Sequence, residues 1–441
     1  MAERKRIYRR WLVGVLTVVI LFSLVFSFFY FRSRIPGKIY LLIDQESNIS
    51  FGFPFTVELE ENMEAALGDE SNIPADKIKL TEGSFTGQNT TIESSETGDF
   101  MLSLKLFGLF DLKTIEVEVT DQLYLYPSGR PVGLYLETDG IMVIGTSELT
   151  AYSGQKISPA EGLIKSGDYI LAVDGKAVVS KEELSERISN RDGEITFTIR
   201  RNGEISRVAV HSIRCDDGIY RTGIWVRDDA QGIGTLTYVD SQGNFGCLGH
   251  GISDTDTGQM VEITDGALYE ASIRDVLKGR IGSPGSLIGM IVYGESGYYG
   301  TIDKNTEKGV FGTLNTGTVD VCEDTAIPVG YRGEIETGPA QLLCPVNGET
   351  AYYDIQINKI NRGSQDNKSM TIEVTDERLL ELTGGILQGM SGSPLIQNGK
   401  LIGAVTHVLV NDPTRGYGIF IENMLETANQ VAEEQAKKDA S

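Results

Sequence analysis

Residues 384–407 read GGILQGMSGSPLIQNGKLIGAVTH, which is the most informative stretch of the sequence. Its centre is Ser391, which has a glycine two residues before it and another directly after it. Glycines permit unusual backbone angles and leave a serine hydroxyl unobstructed, while nearby backbone N–H groups can point at a developing oxyanion. Pro394 then fixes the exit into a strand, and Asn398-Gly399 turns the chain back. The stretch predicts a β-hairpin preceded by a turn that presents a nucleophilic serine.

This turn resembles the G-D-S-G-G-P nucleophile turn of chymotrypsin-like proteases, and the resemblance implies a double β-barrel. Two positions differ, because Met390 replaces Asp and Ser393 replaces Gly. The Asp is the usual partner of a new N-terminus, so its loss argues against zymogen-style activation. A second match, G-E-S-G at 294–297, lacks the proline and the hairpin, and matches of four letters are weak. An α/β-hydrolase elbow is excluded, since it needs glycine where Ser393 stands.

A nucleophilic serine needs a general base, and the chain has three histidines. His211 lies in a strand-like segment and His407 ends the strand after the serine hairpin, where a structural role is the default. His250 lies in the segment Leu248-Gly-His-Gly, with glycine on each side as a residue close to a substrate would tolerate. The pattern therefore favours His250 as the base.

The residue that would orient the imidazole is not selected by spacing alone. Ten aspartates lie between His250 and Ser391. Asp254 and Asp256 are near His250 in sequence, while Asp376 closes an alternating strand segment. These alternatives remain open on the residues alone.

Residues 126–213 carry a second motif. The stretch 162–175 reads GLIKSGDYILAVDG and aligns without a gap to the A-G-L-x-x-G-D-x-I-L-x-V-N-G core of PDZ domains in bacterial proteases. It departs at three positions from Gly162 to Ile164 and mildly at Asp174. A capped helix at 180–188 and alternating strands follow. The segment therefore resembles a PDZ domain.

A PDZ domain binds a peptide as an extra strand and holds its terminal carboxylate on backbone N–H groups of a loop. By this resemblance the loop is Ser128–Leu134, and the donors are Gly133 and Leu134. The alternative is that the glycines only shape the turn.

The N-terminal segment predicts a membrane anchor. Trp11–Phe31 is a run of 21 residues without a charge, long enough to cross a hydrocarbon core of ~30 Å. Five cations lie in residues 1–10, so we expect this tail in the cytoplasm and the body outside. A cleaved signal peptide is the alternative, but the run is longer than the usual apolar region and has no A-x-A site.

The charge and the cysteines exclude other classes of function. The net charge is −23 and residues 1–35 contribute +6, so the body is strongly acidic and we expect no nucleic-acid partner. The four cysteines (215, 247, 322 and 344) form no C-x-x-C pair, and we expect no metal or cofactor. They allow three disulfide pairings, and the sequence does not choose among them.

The chain as a whole is predicted to be mainly β. We expect a β-rich spacer module at 36–125, the PDZ domain at 126–213 and a peptidase domain at 214–441. The last ends in an amphipathic helix that starts near Ile421. Specificity pockets are expected from the loops 384–388 and 405–408.

Over its full length the chain resembles the sporulation stage IV B peptidases of endospore-forming bacteria. The matching features are the basic anchor, the stretch 106–119 before the PDZ module, the segment around His250 and the G-M-S-G-S-P turn. The resemblance implies a serine endopeptidase with the triad His250, Asp376 and Ser391. It also implies that the backbone N–H groups of Gly389 and Ser391 form the oxyanion hole.

The resemblance further implies a role in sporulation. Members of this family sit in the forespore inner membrane and face the intermembrane space. They cleave themselves and then the regulatory subunit of the stage IV F membrane complex, which triggers processing of the late mother-cell sigma factor. The PDZ module is expected to bind the enzyme itself or its target.

Two other classes compete with this interpretation. A PDZ-based adaptor with an inactive protease-like domain is the first, and the presence of all three triad candidates argues against it. An envelope protease of the high-temperature-requirement type is the second, but there the PDZ domains follow the protease domain.

Overall fold

The computed structural model describes residues 2–50, 55–59, 73–82, 89–315, 325–346 and 348–439. The chain begins with helix α1 (Ala2–Arg34), whose segment Tyr8–Arg32 is long and apolar enough to cross a membrane. Most of its large apolar side chains, such as Phe22 at 72% exposed, face outward, while Phe28 and Phe31 near its end pack against the sheet that follows. The predicted apolar helix is therefore present.

Two small sheets follow α1. Their strands are β1 (Lys38–Leu42), β2 (Ser47–Ser50), β3 (Phe55–Leu59), β4 (Ile78–Glu82), β5 (Asn89–Ser94), β6 (Gly98–Leu106) and β7 (Phe110–Thr120), with a 3-10 turn at Ala75–Lys77. The first sheet has the order β1-β7-β6-β3 and the second β2-β5-β4. Alternation in β6 and β7 puts Phe100, Leu102 and Ile115 into one fully buried core.

The next segment contains one helix and several strands that pack on it. They are β8 (Tyr124–Pro127), β9 (Pro131–Thr146), β10 (Leu149–Thr150), β11 (Lys156–Ile157), β12 (Tyr169–Val173), β13 (Lys176–Ala177), α2 (Lys181–Ser189), β14 (Gly193–Arg201) and β15 (Glu204–Arg214). Ser180 caps α2 by accepting a hydrogen bond from the N–H of Glu183 at 3.2 Å. Leu184 and Ile188 face a core that includes Phe197.

The remaining strands build two barrels. The elements are β16 (Tyr220–Arg221), β17 (Ile224–Val239), β18 (Asn244–Cys247), β19 (Ile263–Leu277), β20 (Ser286–Val292), β21 (Tyr298–Thr306), β22 (Gly309–Leu314), β23 (Ile327–Pro328), β24 (Gly338–Val346), β25 (Glu349–Ile360), β26 (Met370–Val374), α3 (Glu377–Thr383), β27 (Pro394–Gln397), β28 (Lys400–Leu409), β29 (Asp412–Phe420) and α4 (Ile421–Asp439). The second barrel is the closed ring β24-β25-β26-β29-β28-β27. The first is the ring β9-β19-β21-β22-β18-β17, which closes because β17 also pairs with β9. Two six-stranded barrels with a terminal helix match the predicted fold class.

The strand pairing does not follow the predicted boundaries at residues 126 and 213, because the single strand β9 pairs in two different parts of the fold. Its first half, through Glu137, pairs with both β17 and β19 inside the first barrel. Its second half pairs with β12 and with the start of β17. The unit of about residues 139–226 is therefore inserted into the first barrel and does not simply precede it.

Candidate active site

The turn that carries Ser391 belongs to the second barrel but is fastened to the first. The backbone N–H of Thr235 donates to the carbonyl of Ser391 at 3.0 Å, and its hydroxyl donates to the carbonyl of Gly389 at 2.9 Å. Thr237 donates to the carbonyl of Gly392 at 2.7 Å. These three hydrogen bonds from β17 hold the serine turn at the junction of the barrels.

Gly392 is required for this close contact. Its φ is +92°, and a Cβ there would lie 2.1 Å from the carbonyl oxygen of Thr235 and 2.5 Å from the backbone nitrogen of Leu248. Backbone atoms cannot move aside as a flexible side chain can, so a larger residue would push the two barrels apart. The glycine after Ser391 thus lets the serine turn approach the segment that leads to His250.

His250 lies in the loop after β18, at the same junction. Its Nδ1 bonds the carbonyl oxygen of Gly251 at 2.8 Å. A carbonyl only accepts, so Nδ1 carries the proton and Nε2 keeps a free lone pair. Burial lowers the pKa of His250 below its usual value. A neutral imidazole with a free Nε2 is the form that a general base requires.

Ser391 and His250 line one cavity of about 430 Å³. The Ser391 hydroxyl donates to the carbonyl of Thr406 at 2.7 Å, so in this structure it is held by the backbone of β28 rather than by the imidazole. A rotation about χ1 of Ser391 is the movement that would release this hydrogen bond. The structure thus brings together two of the three residues predicted for the triad.

The backbone N–H groups of Gly389 and Ser391 are available as donors. Among the residues that the structure describes, neither group donates to an acceptor, whereas the N–H groups of Met390, Gly392 and Ser393 all do. Both residues line the cavity. Unpaired donors next to a nucleophile are what oxyanion stabilisation requires.

His407 is a residue of this site that sequence reasoning missed. Its ring centroid lies 5.0 Å from that of His250, and it lines the same cavity. Its Nδ1 is buried and has no hydrogen-bond partner among the residues that the structure describes. Burial, with help from His250 and Lys368, lowers the pKa of His407 to about 4, so the ring is neutral. The pairing of β28 shifts register between Val405 and His407, so strand alternation in the sequence did not indicate that His407 lines the cavity.

Asp376 is not brought to His250, and its predicted place in the triad is not met in this structure. Its carboxylate caps α3 by accepting from the N–H groups of Arg378 at 2.9 Å and Leu379 at 3.4 Å. It also accepts from the N–H of Asp354 and from the Arg378 guanidinium, at 2.7 Å for Nη2. The Arg378 hydrogen bond holds the pKa of Asp376 at about 2. This carboxylate is saturated by other partners, and the carbonyl of Gly251 orients His250 instead.

These contacts predict that Asp376 contributes to stability rather than to turnover. Asp376→Ala removes the cap and should destabilise α3 by about 0.5–2 kcal/mol. Asp376→Asn can still cap α3 but loses the ion pair with Arg378 and one acceptor oxygen, so it should cost some stability and leave turnover unchanged. Amide hydrogen exchange of α3 and kcat/KM on a peptide substrate measure the two effects. A fall of about 10⁴-fold in kcat for Asp376→Asn at unchanged stability would instead establish the orienting role that the resemblance implies.

Other carboxylates do lie near His250. A second cavity of about 610 Å³ is lined by both His250 and His407 together with Glu307 and Asp366. Asp366 accepts hydrogen bonds from Ser364 and from the N–H of Lys368. Glu307 lies in the turn between β21 and β22, and its carbonyl accepts from Asn367. Neither carboxylate hydrogen-bonds His250.

The lowered pKa of His250 predicts how activity falls at acid pH. His250 acts as a base only when neutral, and burial moves its protonation to a pH below the ordinary 6.5. The acid limb of kcat/KM, which reports the free enzyme, should therefore have an apparent pKa below 6.5. A pH profile of peptide cleavage measures it. An acid limb at or above pH 6.5 would contradict the burial of His250.

Gly133 and Leu134 do not form the predicted carboxylate loop. Both lie inside β9, where Gly133 is paired with Ile233 on one side and Tyr269 on the other. A strand with two partners has no free edge to which a peptide could add. Leu134 lines the cavity beside Ser391 instead.

A free strand edge is found elsewhere in the inserted unit. The segment Ile224–Val226 pairs with β9 along one edge, and among the described residues no strand pairs with its other edge. That second edge faces α2 across a cavity of about 410 Å³, which Leu184 and Ile188 line. Trp225 lies at this cavity and is 61% exposed. A cavity between a helix and an open strand edge fits an extended peptide.

No metal centre accompanies these groups in the described ranges, since they contain no cluster of three or more His, Cys, Asp or Glu that could hold an ion. Cys215, Cys247 and Cys344 are buried free thiols. Cys322 lies outside the described residues.

The two barrels, the exposed serine turn and the neutral histidine beside it define the class, a serine peptidase of chymotrypsin-like architecture. Residues 218–425 match the family model described as SpoIVB peptidase S55. This match confirms the resemblance to that family over residues 218–425, and this part of the chain belongs to a serine endopeptidase domain.

Solved structures similar to this chain are also bacterial proteases. The HtrA-type protease AlgW with a decapeptide aligns at 12% identity over 70% of this chain and 66% of its own, with a TM-score of 0.30. The Rv3671c protease from M. tuberculosis in its active form aligns at 14% identity over 46% of this chain and 74% of its own, with a TM-score of 0.25. The serine endoprotease from Yersinia pestis aligns at 12% identity over 58% of this chain and 69% of its own, with a TM-score of 0.27. The chain spans just under two thirds of the first of these structures. No curated protein matches the sequence.

Proposed function

We propose that Ser391 is the nucleophile and His250 the general base of a membrane-anchored serine endopeptidase. The observation that carries this is the shared cavity at the junction of the barrels. Ser391 Oγ leaves the carbonyl of Thr406, gives its proton to Nε2 of His250 and attacks the scissile carbonyl. The N–H groups of Gly389 and Ser391 hold the resulting oxyanion. His250 then returns the proton to the leaving amine, and water releases the acyl group by the same steps.

Active-site labelling tests this proposal. We expect a fluorophosphonate probe to label the full-length protein in detergent micelles and to leave Ser391→Ala unlabelled. Ser296→Ala is the matched control, because Ser296 lies in the exposed G-E-S-G match and should not affect labelling. Equal labelling of Ser391→Ala would overturn the assignment. An unlabelled wild type would favour the adaptor hypothesis.

The substrates and the location follow from the family resemblance. We propose that the enzyme cleaves itself and then the regulatory subunit of the stage IV F membrane complex, which triggers processing of the late mother-cell sigma factor. Helix α1 would anchor it in the forespore inner membrane, with residues 1–10 cytoplasmic and the barrels in the intermembrane space. The excess of cations before the apolar segment supports this topology.

We also propose that the inserted unit acts as a PDZ-type peptide receptor, through Ile224–Val226 and not through Gly133 and Leu134. A peptide would extend the sheet along the open edge and place its apolar side chains against Leu184 and Ile188. The peptide could come from another protein or from a second copy of this chain. Peptide capture would hold a substrate near the barrels, because the unit is joined to the first barrel through the continuous strands β9 and β17.

Filling the groove tests peptide capture. Ser185 lines the cavity from α2, whereas its neighbour Glu186 does not. Ser185→Phe should weaken binding of a fluorescein-labelled heptapeptide ending in Val-Ile, and Glu186→Phe should leave it unchanged. Fluorescence anisotropy with the full-length protein gives both affinities. Equal affinities for the two variants would contradict this groove as the binding site.

A further inference from the structure

The cavity beside Ser391 has apolar walls that no part of the proposed reaction uses. Aliphatic side chains from both barrels line it: Leu134, Ile233, Ile252, Leu387 and Val408. The lining residues include no Asp, Glu, Lys or Arg. The two histidines at its rim are neutral, since burial lowers the pKa of each.

The position of the cavity decides which part of a substrate enters it. A scissile carbonyl held by the N–H groups of Gly389 and Ser391 lies at the mouth of this same cavity. A peptide bound in this way would direct into the cavity the side chain next to that carbonyl on its N-terminal side.

Two of the residues that line the cavity belong to a packed core. Ile386 and Leu387 are each 1% exposed and belong to the core of the second barrel. Gly416 stands behind Ile386, and a Cβ there would lie 2.6 Å from Ile386 Cδ1. Among the described residues that line the cavity, none is charged, so none could pair with a long cationic or acidic side chain. Burying an unpaired charge against such walls is costly, whereas burying an aliphatic side chain is favourable.

We propose that this cavity is the specificity subsite for the residue before the scissile bond and that it selects aliphatic side chains such as Leu and Val. The proposal rests on the proposed function of Ser391. Val408, half-buried on β28 next to His407, is the wall residue through which the selectivity can be changed.

Peptidyl diphenyl phosphonates test the subsite without requiring turnover. In these probes Ser391 Oγ attacks phosphorus, a P–O bond forms, and phenol leaves with the serine proton. Tripeptide probes that differ only in the last side chain, Leu, Val, Lys or Glu, would be reacted with the full-length protein in detergent micelles. We expect the Leu and Val probes to label at least about 100-fold faster than the Lys and Glu probes.

A charge placed on the wall gives the matched variant. Val408→Asp should slow labelling by the Leu probe and speed labelling by the Lys probe, so that their ratio falls or reverses. Val179→Asp, the same change at a position that is 82% exposed in the inserted unit, should leave the ratio unchanged. Val408→Thr keeps nearly the shape of Val and adds one hydroxyl group to the apolar wall. It should lower the Leu-to-Lys ratio even if Val408→Asp fails to fold.

The outcomes separate this proposal from the one on which it rests. Labelling by a small fluorophosphonate but no preference for Leu or Val over Lys would overturn the subsite and leave the nucleophile intact. Absence of labelling by every probe, the fluorophosphonate included, would overturn both. A Leu-to-Lys ratio unmoved by Val408→Asp would remove Val408 from the subsite.

Discussion

Replacing His250 with Gln is expected to lower kcat by about 10⁴- to 10⁶-fold, the loss typical when a serine peptidase loses its base. Gln has nearly the volume of His but cannot take the proton from Ser391. The fold should survive, because the His250 ring makes one hydrogen bond, to the carbonyl of the next residue. Single-turnover peptide cleavage with the full-length protein measures the loss.

His407 provides the matched control for this change. It lines the same cavity, its ring lies 5.0 Å from that of His250, and its Nδ1 has no partner among the described residues. His407→Gln should therefore cost far less than His250→Gln. The double variant Ser391→Ala/His250→Gln should be no slower than either single variant, since nucleophile and base act as one unit. If His407→Gln were the more damaging change, the assignment of the base would be reversed.

The serine turn could be recognised from the sequence because its geometry depends on local residue types. Glycine at 389 and 392, with φ values of +96° and +92°, and Pro394 at the start of β27 are properties of the chain itself. The mainly β fold class could likewise be predicted from segments in which apolar and polar residues alternate. His250 could be predicted as the general base because the chain has three histidines, which left few alternatives.

The structure differs from the sequence-based expectations where pairing between distant strands decides the outcome. Sequence shows that Gly133 and Leu134 lie in a strand, but only the register of β9 shows that both edges are occupied. The insertion of the unit at about 139–226 into the first barrel was hidden for the same reason. Asp376 is a different case, because the alternating strand before it was recognised and the short helix that it caps was not.

Arg332 carries the largest expected effect on stability. It is 2% exposed, and both its Nε and its backbone N–H donate to the carboxylate of Glu422, which is 1% exposed at the start of α4. Its Nη2 donates to Asn423 at 3.0 Å, and the guanidinium lies 5.3 Å from the ring centroid of Phe420. This cluster fixes α4 to the second barrel, although removing two charges from water is costly in itself.

Arg332→Met should lower the stability of the α4 docking by about 3–5 kcal/mol, because it leaves Glu422 buried without its counter-ion. Burial already raises the pKa of Glu422 in spite of Arg332. Without Arg332 the folded state binds a proton that the unfolded state releases, so the variant should lose stability as the pH rises above the ordinary Glu value. Amide hydrogen exchange of α4 at pH 5 and pH 8 measures this. The double variant Arg332→Met/Glu422→Gln removes both charges and keeps an oxygen that accepts from the backbone N–H at position 332, so it should recover most of the loss, with no such pH dependence. If the double variant were as unstable as Arg332→Met, the effect would come from lost packing, and the unpaired charge of Glu422 would not be its cause.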